Sequence, residues 1–195
     1  MNVNLKLIIV ATISGIISII IIMVFVNQMY LLYKFEKEKC NLEKELKQEM
    51  KKYRKKGFNF RQRKEIKKGL LNGIDISKYA DPKFSAEQMQ IIRFGLEWDL
   101  DVSKYAKPEF HPAQMWEIRN GVNNNLDVSI YAKPEFNWEQ MKEIRLGLKS
   151  GIDVSKYADP KFDWKQMAEI RRNLKSKKIV GKNDRDRRAS CRERV

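Results

Sequence analysis

The residues able to do chemistry are few and poorly placed for it. One histidine, His111, and two cysteines, Cys40 and Cys191, stand among 195 residues, too few for a His-rich metal site, a His-driven triad or a disulfide-stapled fold. A Gly-rich phosphate loop, a Cys-x-x-Cys pair and a nucleophile beside a base are all missing, and the carboxylates recur by repetition, which requires no catalytic pairing. The expectation is a chain that is not an enzyme and uses no cofactor and no metal. What remains is recognition chemistry. Arg93, Arg119, Arg145 and Arg171 form a row, with Lys67 in the same register, and Trp138 and Trp164 occupy matching positions. Guanidinium rows suit phosphates or acidic peptides, and indoles on an open edge suit peptide anchoring. Each has a structural alternative: the arginines would bond Asp or backbone carbonyls of a neighbouring unit, and the tryptophans would pack in the core. The alternative is expected to hold for both.

The elements that must position these residues follow from a repeat. Phe58, Phe84, Phe110, Phe136 and Phe162 are each 26 residues apart, and Gln62, Gln88, Gln114, Gln140 and Gln166 keep the same interval. Ile66, Ile92, Ile118, Ile144 and Ile170 follow it too, as do Tyr79, Tyr105, Tyr131 and Tyr157. Each copy encodes a helix of about twelve residues. Asn59, Ser85, His111, Asn137 and Asp163 stand at the N-cap, with the repeated Gln three residues on to complete a capping box. Pro112 fits the first helical position. Gly73, Asp99, Asn125 and Gly151 fall where a left-handed residue stops a helix. A short second turn follows, capped by Asp75, Asp101, Asp127 or Asp153 and ended before Pro82, Pro108, Pro134 or Pro160. Neither helix can bury its apolar face alone, so the copies should stack. Gly69, Gly95, Gly121 and Gly147 lie inside the first helix at a cost of about 1 kcal/mol each relative to Ala, which close contact with the next repeat would justify.

The repeated pattern Q-M-x-E-I-R-x-G-L-x-x-G-L-D-V-S-x-Y-A-x-P-x-F resembles short helical repeats of uncharacterised bacterial proteins, often linked to mobile elements. The resemblance covers residues 58–174 and implies a helical array without implying an activity. The first copy departs from it with Arg63 for Met and Lys67 for Arg, as a polar capping repeat would. The predicted fold is all-α: an N-terminal transmembrane helix at 1–27, a charged juxtamembrane stalk helix at 28–57, and an α-solenoid of 26-residue two-helix repeats at 58–178. The copies are 58–83, 84–109, 110–135, 136–161 and 162–178, and a disordered basic tail at 179–195 follows. Residues 188–195 resemble the translation of a sequencing-adapter read, so they are expected to be an artefact, with the natural C-terminus and any further repeats lost.

Charge and hydropathy place the array beside a membrane. Residues 7–26 contain no charged group over 20 positions, enough at about 1.5 Å per residue to span about 30 Å of hydrocarbon. The run exceeds the core of a signal peptide and lacks a small-x-small cleavage pattern, so it is expected to stay as an anchor. Only Lys6 and the α-amino group precede it, whereas Lys34, Lys37, Lys39 and Lys44 follow, which puts the N-terminus outside and the array in the cytoplasm. Ser14, Gly15 and Ser18 make a small face on which a second copy could pack, and the stalk offers another route to a homodimer. Cys40 on that stalk is expected to be a free thiol. The formal charge of +15 sits at the chain ends, whereas residues 84–161 sum to −2, which argues against nucleic acid as the array's ligand. Lys175, Lys177, Lys178 and Lys182 are read as a solvated tail. The expected function is a membrane-anchored adaptor that binds a protein partner through the repeats. An extracytoplasmic adhesion module comes second and a nucleic-acid-binding repeat protein third.

Overall fold

Every helix start in the array is tied by the capping box its sequence encodes. In the computed structural model, which describes the backbone of residues 3–192 and the side chains of residues 15, 16 and 18–180, the Asn59 side chain accepts from the Gln62 amide at 2.9 Å. The Gln62 side chain in turn accepts from the Asn59 amide at 2.8 Å. Ser85 with Gln88 and Asn137 with Gln140 do the same. His111 caps through its ring, Nδ1 accepting from the Ala113 amide at 3.2 Å. The helices that follow are α2 (Phe60–Leu71), α3 (Ala86–Glu97), α4 (Pro112–Asn123) and α5 (Trp138–Lys149), twelve residues each. They stop at Gly73, Asp99, Asn125 and Gly151, whose φ values of 66°, 53°, 53° and 61° lie in the left-handed region.

Each copy then makes a single 3-10 turn, at Ile76–Lys78, Val102–Lys104, Val128–Ile130 and Val154–Lys156, opened by an Asp side chain bonded to the Ser amide two residues on. The tyrosine after the turn folds back onto its own copy. Tyr79, Tyr105, Tyr131 and Tyr157 are fully buried, and the hydroxyls of Tyr79, Tyr131 and Tyr157 donate to the carbonyls of Glu65, Glu117 and Glu143 at 3.2–3.3 Å. A Cβ built on Gly69, Gly95, Gly121 or Gly147 would overlap that hydroxyl. The helical glycines therefore answer a contact inside their own copy, where the sequence pointed to the next one.

The chain divides into two compact units, Met1–Tyr53 and Arg54–Val195. In the second, α2 packs on α3, α3 on α4, α4 on α5, and α5 on α6 (Trp164–Arg192). The core is the repeated set itself: Phe58, Phe84, Phe110 and Phe136, with Met89, Met115 and Met141, and Ile66, Ile92, Ile118 and Ile144. Ile170, in the last copy, is only half-buried. The Gln of each capping box also reaches forward: Gln62, Gln88, Gln114 and Gln140 donate through Nε2 to the carbonyls of Phe84, Phe110, Phe136 and Phe162 at 2.6–2.7 Å.

The first unit is formed by one helix, α1 (Val3–Lys55), whose last turn enters the second unit; it runs uninterrupted with a single glycine, Gly15, and no proline. It is long and apolar enough to cross a membrane. Its described apolar side chains from Ile16 to Phe35 are all exposed. Nothing lies within contact of a Cβ built on Gly15, whereas the side chain of Ser14, the first member of the small face, lies outside the described residues. Among the described residues every regular element is helical. One difference from the expected architecture concerns the C-terminus. α6 continues as helix through residues 179–192, where a disordered tail was predicted. After the packed first turns the sequence has no proline and a single glycine, Gly181, to stop it. Of the adapter-like stretch, residues 193–195 and all the side chains lie outside the described residues.

Candidate functional site

The arginine row is the main charged feature of the junctions, and three of its members are committed to the fold. Arg93 Nε and Nη2 both donate to Glu65 Oε2, at 3.1 and 3.0 Å. Arg145 Nε donates to Glu117 Oε2 at 2.7 Å, and Arg171 Nε to Glu143 Oε2 at 2.8 Å. Each bond crosses to the copy before, as expected of a structural row. The acceptors are glutamates rather than the aspartates or backbone carbonyls that the sequence suggested. Arg93 is further held by Glu97 of its own helix, and Glu97 accepts from Asn72 at 3.0 Å. Buried pairs of this kind fix register more than they add stability, because desolvation offsets most of the attraction.

Arg119 breaks the row. The residue that should face it stands in register with Glu65, Glu117 and Glu143, and is Ile91, itself buried. Arg119 forms no ion pair among the described residues. It is nevertheless only 6% exposed, and its Nε is buried without a hydrogen-bond partner. In place of a carboxylate it has two indoles, with its guanidinium carbon 5.2 Å from the ring centroid of Trp98 and 5.1 Å from that of Trp116. A cation against aromatic faces that are themselves partly exposed gains about 0.5–1 kcal/mol per contact, which offsets part of the missing charge partner.

A second polar atom is stranded in the preceding copy. The Tyr105 hydroxyl is buried and has no partner, whereas three counterparts donate to a glutamate carbonyl. Burial pushes Tyr105 up to about 12, and the Arg119 charge, close enough to be felt, pulls the other way. The Arg119 Nε at the junction between residues 84–109 and 110–135 and the Tyr105 hydroxyl inside the copy at 84–109 are therefore both donors without an acceptor.

All four tryptophans lie at the surface. Trp98, the C-cap of α3, is 63% exposed, Trp116 44%, Trp138 41% and Trp164 42%. The expected core packing of Trp138 and Trp164 is thus corrected: the first position of a helix faces outward before the apolar stripe begins. Trp138 lines a groove of about 420 Å³ with His111, Gln114, Pro134, Glu135 and Asn137. Trp98 and Trp116 were not singled out from sequence: neither recurs at the 26-residue interval, and the Ile91 that interrupts the glutamate column gains its meaning only from the arginines that face that column.

The basic residues at the C-terminal end are partly committed as well. Lys178 Nζ donates to the carbonyls of Ser150 at 3.2 Å and Gly151 at 2.6 Å, where a cation meets the unpaired carbonyls at the end of α5. Cys40 is exposed on α1. Among the described residues no three His, Cys, Asp or Glu side chains are placed to hold a metal ion. No protein family, curated protein or solved structure matches this chain.

Proposed function

We propose that this protein is a single-pass membrane-anchored adaptor, whose repeats form an α-solenoid that binds a protein partner on the cytoplasmic side. The observation that carries the reading is the exposure of all four tryptophans in an array whose other repeated aromatics, the Phe and Tyr rows from Phe58 to Tyr157, are buried. Large exposed aromatics on a rigid scaffold are costly in water and are the side chains that dominate protein interfaces. The exposed apolar stretch of α1 supports the anchor, since such a surface needs hydrocarbon or another helix to cover it. The positive flank supports the orientation.

Photo-crosslinking residues placed at 138 and 164 in the full chain, in cells that express it, should give a discrete protein adduct at each position. Adducts to lipid alone, or none, would overturn the adaptor reading. Protease added to intact cells should spare the array; cleavage within residues 58–178 would move it outside the cell, to the adhesion reading.

A further inference from the structure

We propose that the junction around Arg119 is a carboxylate-binding site, in which a glutamate or aspartate side chain of a partner peptide takes the place of the acceptor that Ile91 removes. The proposal deepens the adaptor reading and rests on it for the partner being a protein.

The chemistry of the ligand is set by what the neighbouring junctions contain. At three of them a carboxylate oxygen sits 2.7–3.1 Å from the arginine Nε. At the fourth the same guanidinium is present, nine-tenths buried, and the oxygen is missing. The stranded Arg119 Nε is a donor, so a ligand that only accepts satisfies it, and an ionised carboxylate is such a group. Two glutamates of the flanking copies are already engaged elsewhere: Glu97 by Arg93 and Asn72, and Glu117 by Arg145.

The surroundings narrow the ligand further. Trp98 and Trp116 give the site apolar walls, and Ile91 holds the register position of the missing glutamate, which suits a carboxylate on a hydrocarbon stem. The copies at 84–109 and 110–135 carry net charges of −2 and −1, which repel a polyanion such as nucleic acid while leaving a single buried charge pair unaffected. Trp98 lies past the last turn of α3 and is the most exposed of the four indoles. It is the cover that an entering side chain displaces.

The test is an NMR titration of the full chain in detergent micelles, reading the four indole N–H resonances. The probes are acetyl-Leu-Glu-Leu-amide, its Gln counterpart, and inorganic phosphate. The Glu peptide should shift Trp98 and Trp116 saturably, leave Trp138 and Trp164 in place, and bind at least tenfold more tightly than the Gln peptide. Ile91→Glu restores the internal acceptor and should abolish the shifts. Arg119→Met, which removes the stranded charge, should abolish them as well, and it carries the test should Ile91→Glu not fold. Equal binding of the Gln peptide, tighter binding of phosphate, or shifts that survive in a folded Ile91→Glu or Arg119→Met variant would overturn the proposal. Crosslinks at 138 and 164 that persist while the titration fails would leave the adaptor reading standing. Their loss, with the titration intact, would remove the adaptor and keep the site.

Discussion

A buried charge is dangerous to a fold in proportion to what is left behind when its partner goes. Arg145→Ala strands Glu117, which is nine-tenths buried, and should cost about 3–5 kcal/mol. Arg119→Ala strands no carboxylate and should cost clearly less. Urea unfolding of the full chain in detergent, followed by circular dichroism, ranks the two. The tyrosines give a pH signature of the same origin. Burial pushes Tyr105 and Tyr157 up to about 12 and raises Tyr131 as well, so the folded state resists ionisation that the unfolded chain undergoes near 10.0. Their contribution is complete below pH 10 and disappears as pH climbs toward 12, which a series of thermal melts across that window should show. These rows were readable in the sequence because each residue type recurs at one interval. The exception was not, since one Ile in a column of Glu carries meaning only when the column is known to be facing Arg.

Helix limits were the most legible level. Cap residue, Gln and left-handed stop each have a local cause, and the structure places α2 to α5 between them. The forward reach of the glutamine was hidden, because a capping box is complete without it and only tertiary contact reveals the second use of the side chain. Gln114→Leu removes both uses, stranding the His111 amide and the buried Phe136 carbonyl. It should cost about 1–3 kcal/mol for each group left unpaired, whereas Gln166→Leu, exposed in the last copy, should cost little; paired thermal melts check the difference. The 3-10 turns respond to acid. Hydrogen bonds from Ser77, Ser129 and Ser155 hold Asp75, Asp127 and Asp153 below their ordinary value of 3.8. The support they give is present above that value and fades as pH falls through the lowered one. Amide exchange of the serine N–H groups should rise there first.

At the scale of the molecule, what the period could not foretell was which copies mismatch, or that α6 continues to Arg192. In this array three of the four arginines meet the residue 28 positions earlier. Removing residues 84–109 from the full chain would bring Arg119 against Glu65. Removing residues 110–135, an equal length, would bring Arg145 against Ile91. The first deletion should melt at the higher temperature, by the equivalent of about 1–3 kcal/mol for one satisfied buried group, and the reverse order would show that the copies do not share one packing rule. The glutamine clasp has a consequence for ancestry. Since each copy carries its own hook for the backbone that follows it, an in-frame duplication arrives with its fastenings matched wherever the copying begins, so recombination can lengthen or shorten such a chain without inventing a new joint.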